Sequence, residues 1–134
     1  MSEVLIASDA SWIINEVTAV LGGDDTHVRV VHRGADVRDA VSTTTPDLVV
    51  LDLQIGNMGG MATCIDLRLE SGAGRLPEVP VLMLLDRAAD VYLAQQSGAN
   101  GWLVKPLDAF RVRKAVDAVL AGDSYHENTA AGVV

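Results

Sequence analysis

The sequence predicts a doubly wound α/β domain, in which five parallel strands are each followed by a helix and the helices cover both faces of the sheet. Three observations carry that reading. Strand-like and helix-like apolar periods alternate five times along the chain, with short turn-rich segments between them. The run Pro46-Asp47-Leu48-Val49-Val50-Leu51-Asp52 is nearly continuous in apolar, β-branched residues, as expected of a strand buried on both faces. At 134 residues the chain has the size of one domain and can bury roughly two thirds of the surface its unfolded form exposes.

The elements follow in order. Val4 to Ala7 is an apolar strand, and Ile13, Val17, Val20 and Leu21 recur at helical spacing until Gly22-Gly23 stops the helix. His27 to Val31 is the second strand. Val37, Ala40 and Val41 give a short amphipathic helix that ends at Thr43-Thr44-Thr45 and Pro46, and the strand ending in Asp52 is third. Met61, Ile65 and Leu69, with Cys64 beside them, stripe a third helix that dissolves into Glu70-Ser71-Gly72-Ala73-Gly74. Val81 to Leu85 is the fourth strand, Val91 and Ala94 lie on a short helix ending at Gly98, and Gly101 to Val104 is the fifth strand. Val112, Val116, Val119 and Leu120 then face inward from a fifth helix. From Gly122 onward no apolar period is sustained. Residues 1–122 are therefore expected to form the domain, and 123–134 a short flexible tail with no output domain.

Composition narrows the function. Ten basic against eighteen acidic residues give a net charge of −8, which opposes binding to nucleic acid and to an anionic membrane surface. No segment approaches the ~18 apolar residues of a membrane span, and no positively charged leader precedes the first strand, so a cytoplasmic protein is expected. Cys64 is the single cysteine and reads as a small core residue. His27, His32 and His126 are scattered and suggest no metal site.

In open α/β sheets, chemistry gathers at the carboxyl ends of the strands. Those ends carry Ser8-Asp9, Asp52, Leu85-Asp86 and Lys105-Pro106. Two carboxylates and an amine converging there could hold a small hard cation such as Mg²⁺, with the ammonium pairing a bound phosphoryl group or the acceptor carboxylate. Lys105-Pro106 is also a plausible place for a cis peptide bond, which sequence leaves open.

Four elements together resemble the receiver domain of bacterial two-component response regulators, from about Val4 to Gly122. They are the acid after the first strand, Asp52 with Met58-Gly59-Gly60 following, the Ser97-Gly98-Ala99-Asn100-Gly101-Trp102 lead into the fifth strand, and Lys105-Pro106. The resemblance implies a flavodoxin-like (βα)5 receiver fold and an atypical, stand-alone signalling phosphoprotein rather than an enzyme. It implies Asp52 as phosphoacceptor, Mg²⁺ held by Asp9, Asp52 and the Gln54 backbone carbonyl, and Lys105 contacting the phosphoryl group. It further implies a histidine kinase or phosphotransfer protein as donor, a downstream protein partner, and signalling or homodimer formation through the face of helix four, strand five and helix five. Trp102 occupies the position of the family's switch aromatic.

Four positions depart from that pattern, three of them at the proposed site. Ser8 replaces the first of two acids, which should weaken Mg²⁺ binding. Leu85 replaces a hydroxyl whose hydrogen bond to a charged group would be worth about 1.5–3 kcal/mol. Asp86 replaces a small residue and puts a carboxylate beside a dianionic phosphoryl pocket, which is repulsive unless a metal or lysine intervenes. Gly56, where the loop usually has proline, is expected to loosen it. The family's hydroxyl-driven trigger is thus missing, and the large Trp102 ring is expected to be held outward, available to a partner.

Each residue also has a purely structural reading. Asp9 suits the N-cap of helix one, Asp86 a cap for helix four, and Arg111, Arg113, Lys114 and Asp117 a solvated face. Two functions stay open. One is a phosphoacceptor that signals through protein contacts; the other is a phosphorylation-independent pseudo-receiver serving as an interaction module. A dehalogenase-type phosphatase would need a second acid where Gln54 stands, and a cobalamin module a histidine, so an enzyme or cofactor carrier of this topology is disfavoured.

Overall fold

The computed structural model describes residues 2–23 and 25–127. Its elements run β1 (Ser2–Ala7), α1 (Ser11–Leu21), β2 (Thr26–Val31), α2 (Val37–Thr43), β3 (Leu48–Asp52), α3 (Gly60–Gly72), β4 (Val81–Leu85), α4 (Val91–Ser97), β5 (Gly101–Val104), α5 (Ala109–Leu120) and β6 (Tyr125–His126). The strands form one parallel sheet in the order β2-β1-β3-β4-β5-β6. The doubly wound α/β architecture with five helices is the one the sequence predicts, with a sixth strand added at one edge.

Successive side chains of a strand point to opposite faces, so an uninterrupted apolar strand feeds two cores at once. One layer packs Leu5, Val49, Leu51, Met83 and Leu85 against α2, α3 and α4 through Val37, Val41, Cys64, Leu67 and Ala94. The other packs Val4, Ile6, Val50, Leu82 and Leu84 against α1 and α5 through Ile13, Val17, Val112 and Val116. Every residue of β3 and of β4 is buried, as the apolar runs predict.

Helix α3 corrects the expected stripe. Its buried positions are Gly60, Thr63, Cys64, Leu67 and Glu70, while Ile65 and Leu69 are 45% and 65% exposed. Polar bridges on its flanks fix this rotation. Toward α2, Arg38 pairs with Asp66 and reaches Glu70 at 3.6 Å. Toward α4, the Arg68 guanidinium donates to the carbonyls of Val79 (2.7 Å) and Gly98 (2.9 Å) and to Asn100 Oδ1 (2.6 Å). At its start, Gly60 lies so close to β3 that a Cβ there would stand 2.7 Å from the Asp52 carbonyl oxygen.

The C-terminal end corrects the expected tail. Rather than fraying from residue 123, the chain continues along β5, with Gly101 opposite Tyr125 and Trp102 opposite His126, and Glu127 is buried. Residues 128–134 lie outside the described residues. No helix among the described residues is long and apolar enough to cross a membrane.

Candidate functional site

Parallel pairing of β1, β3, β4 and β5 brings their carboxyl ends to one edge, and with them Ser8, Asp52, Asp86 and Lys105. Asp52 is the last residue of β3 and only 1% exposed. Its two oxygens are held separately. The Ser8 hydroxyl donates to Oδ2 at 2.8 Å, while Oδ1 receives Lys105 Nζ at 2.7 Å and the Gln54 backbone N–H at 3.1 Å. Ser8, fully buried, also accepts the Ala10 N–H at 3.1 Å, which fixes its hydroxyl toward the carboxylate.

Asp86 is not a helix cap. The turn before α4 is closed instead by Arg87 and Asp90, whose carboxylate accepts the Arg87 N–H at 3.1 Å. Asp86 turns into the site, where its Oδ1 takes Lys105 Nζ at 2.9 Å and its Oδ2 takes the Gln54 side-chain amide. Lys105 therefore bridges two carboxylates that would otherwise repel each other. Burial favours a neutral lysine, but the hydrogen bonds and charges of Asp52 and Asp86 outweigh it and hold the ammonium above its usual range. For Asp86, burial favours the neutral acid, and Lys105 and Gln54 outweigh it to hold the carboxyl below its usual range.

Asp9 stands apart from this ring. Its Oδ2 accepts the Gly56 N–H at 2.9 Å, and Ala10, not Asp9, occupies the position before α1. The loop after β3 is pinned rather than loosened by Gly56, because Gly34 and Ala35 donate to the carbonyls of Gly56 and Asn57 at 3.0 Å each. Within that loop Met58 adopts φ 76°, a left-handed conformation that strains an ordinary L residue. The Lys105-Pro106 peptide is cis.

Leu85 is completely buried in the core layer that contains Trp102, so no side-chain hydroxyl reaches the site from the end of β4. Trp102 corrects the expectation of an outward ring, since it is 3% exposed. His126 of β6 stacks on it with centroids 4.1 Å apart, and the Trp102 indole Nε1–H donates to the Glu127 carbonyl at 2.9 Å. Arg111, expected on a solvated face, reaches inward to Glu127 with Nε–Oε2 2.7 Å and Nη2–Oε1 2.5 Å. Sequence reasoning missed Glu127 and this pair, for which the only signal was an Arg and a Glu sixteen residues apart.

The oxygen donors present suit Mg²⁺, which is bound through one or two carboxylates and keeps several waters. Asp9 and Asp52 are the carboxylates such an ion could draw on, and Asp9 Oδ2 is engaged by the Gly56 N–H. Among the described residues no cluster of three His, Cys, Asp or Glu could hold a metal, so such a site is sparse in anionic donors.

A central-strand carboxylate clamped by the lysine after β5, on a five-helix parallel sheet, defines a signalling domain of the receiver class. The chain belongs to the response regulator receiver domain family, whose model matches residues 4–117. It is 33% identical over 120 residues to the DNA-binding response regulator MtrA of Mycobacterium tuberculosis, covering 88% of this chain and 49% of that protein. The chain thus spans about half the length of that curated relative. Protein PilH of Pseudomonas aeruginosa is 25% identical, with 91% of this chain and all of PilH covered. Among solved structures, the chain resembles Vibrio cholerae chemotaxis response regulator CheY4 (24% identity, TM-score 0.78, 89% and 98% covered). It also resembles the signal receiver domain of a Syntrophus aciditrophicus histidine kinase (26%, 0.79, 91% and 92%). Receiver domains are signalling modules that interact with histidine kinases and downstream effectors and generally bind Mg²⁺ in an acidic pocket.

Proposed function

We propose that this chain is a cytoplasmic receiver that takes a phosphoryl group onto Asp52 and signals through protein contacts, with a site altered enough to slow the transfer. The observation that carries the reading is the 2.7 Å contact between Lys105 Nζ and Asp52 Oδ1 at the carboxyl end of β3. A carboxylate oxygen of Asp52 attacks the phosphorus of a phosphohistidine. The phosphorus–nitrogen bond breaks with its electron pair left on the imidazole, and an acyl phosphate forms. Asp9, Asp52 and the Gln54 backbone carbonyl are the groups that would hold Mg²⁺, which when bound neutralises charge on the transferring phosphoryl oxygens. Lys105 supplies a second positive charge to the transferring phosphoryl group.

Asp86 supports the competing reading of a phosphorylation-independent module. Its carboxylate already engages Lys105 and Gln54 as an internal anion, so it competes with a phosphoryl group for the ammonium and repels that group's charge. Incubation with acetyl phosphate and Mg²⁺, followed by intact-mass measurement, separates the two. The expected result is slow addition of one phosphoryl group to the wild type, none to Asp52→Asn, and at least several-fold faster labelling of Asp86→Ala. If neither the wild type nor Asp86→Ala is labelled, the interaction-module reading replaces this one.

A further inference from the structure

We propose that the edge of β5 is a peptide-binding groove that reads an extended strand ending in a carboxylate, and that the chain's own Asp123–Glu127 is its resident, displaceable occupant. The inference rests on β5 and α5 alone and is independent of any phosphorylation of Asp52.

Four features shape β5 for a strand. A bare strand edge presents unpaired N–H and C=O groups, and addition of a peptide strand satisfies them. Gly101 is where the incoming backbone comes closest, since a Cβ there would stand 2.8 Å from the Tyr125 carbonyl oxygen and 3.2 Å from its nitrogen. Trp102 reads the next two residues, with its ring stacked on the His126 imidazole and its indole N–H donated to the Glu127 carbonyl. Beyond β6 the backbone pairing stops, and the Glu127 carboxylate takes its place by accepting the Val104 N–H at 3.0 Å.

Arg111 makes the groove selective for a carboxylate. Its Nη2 is anchored by the Val104 carbonyl at 2.8 Å and its Nη1 by the Pro106 carbonyl at 2.8 Å, which holds the planar fork square to Glu127. An apolar side chain at that register would leave the guanidinium edge and the Val104 N–H without an acceptor, and an amide, with one acceptor oxygen, would turn its NH₂ donors against Arg111. Glu127 is 4% exposed, so its recognition is dry.

The same geometry makes the occupant removable. The strand is two residues long, His126 is exposed, and the segment is reached through a turn at Gly122 (φ 90°). Among the described residues a cleft of about 450 Å³ runs beside the segment, lined in part by Lys105, Pro106, Phe110, Lys114, Tyr125 and Glu127. There a competing strand can begin to displace the resident one. A tethered segment acts at an effective concentration in the millimolar range, so a partner of the same chemistry must exceed that or bind additional surface.

The test uses the full chain with Trp12→Phe, which leaves Trp102 as the single tryptophan. Acrylamide quenching reads whether Trp102 is covered. Glu127→Ala is expected to raise the quenching constant at least threefold, Glu127→Gln less, and His126→Ala, which cannot disturb the core, by a smaller factor. A blocked Asp-Ser-Tyr-His-Glu peptide at millimolar concentration should restore protection in Glu127→Ala and leave the unaltered groove unaffected. The same peptide ending in Gln should fail. The proposal is overturned if Glu127→Ala and His126→Ala both leave quenching unchanged, or if the peptide gives no protection. It is equally overturned if the Gln peptide protects as well. Protection in the parent chain that falls away on dilution would assign the occupant to a second copy and refute the cis arrangement.

Discussion

Two of the buried carboxylates in this molecule are held by two different cations, and the difference separates a site that can rearrange step by step from a contact that is held or released as a unit. Asp52 meets Lys105, a compact point charge shared at 2.7 and 2.9 Å between Asp52 and Asp86. Glu127 meets Arg111, a rigid fork whose hydrogen bonds also engage Asp108 and the Val104 and Pro106 carbonyls. An ammonium on a flexible stem can trade one acceptor for another with little change of geometry. A guanidinium bound in its plane on several sides cannot. The acidic edge can therefore rearrange, as the proposed phosphoryl transfer would require, while the β5 edge is closed by a charge pair released as a unit.

The largest expected effect separates the two cations. Arg111→Leu leaves Glu127 charged and buried and should cost about 3–5 kcal/mol in a urea titration. Lys105→Met should cost only about 1–3 kcal/mol, because Asp52 keeps Ser8 and Gln54, and Asp86 lies at the rim where it can rehydrate. Equal losses would erase the contrast.

Next in size is Ser8→Asp, which places a second carboxylate against Asp52. Without metal the like charges should destabilise the fold by about 1–3 kcal/mol. Added Mg²⁺ should restore it, with an affinity at least tenfold above that of the wild type by calorimetric titration. A variant that neither loses stability nor gains affinity would mean that Ser8 is not adjacent to the cation position.

The two pairs should also part with pH. In Glu127, burial favours the neutral acid, but Arg111, the Val104 N–H and Tyr125 outweigh it and lower the folded pKa below the ordinary 4.5. A depressed acid stabilises the fold above its unfolded pKa, and that stabilisation disappears as pH falls through the folded value. Trp102 should therefore become quenchable only on acidification below pH 4.5. Lys105, raised above its ordinary 10.5, contributes below that pH and loses its contribution as pH rises through the folded value. Denaturation midpoints should accordingly fall in strong base in the wild type and much less in Lys105→Met. The smallest expected effect is Met58→Gly, which relieves a left-handed φ beside the site and should stabilise the fold by up to about 1 kcal/mol.

The sheet was legible because its strands are buried on both faces. Val49 to Leu51 and Val81 to Leu85 are continuous apolar runs that no amphipathic helix would show. Helix α3 was legible as a helix but not in its rotation, since Ile65 and Leu69 yield the inward face to Cys64 and Leu67. Salt bridges to α2 and hydrogen bonds to the loops around β4 and β5 decide that choice, and they join residues far apart in sequence. In the candidate site, the positions Asp52, Ser8, Asp86 and Lys105 were readable from their places at strand ends. The direction of Asp86 was not, because a cap and a lysine partner call for the same residue type. The β6 segment was hidden for a further reason, which is that two residues are too short to carry a strand period.

The sequence by itself determined the doubly wound sheet, its two apolar layers and the family of the domain, because local periodicity and strand-end residues encode them directly. Only the tertiary structure decided that Asp86 turns onto Lys105, that Trp102 lies inward, and that Glu127 closes the β5 edge on Arg111. Each of these depends on which polar partner lies within about 3 Å once distant segments meet. Hydrogen-bond reach is set by the packed fold, and no local pattern in the sequence displays it.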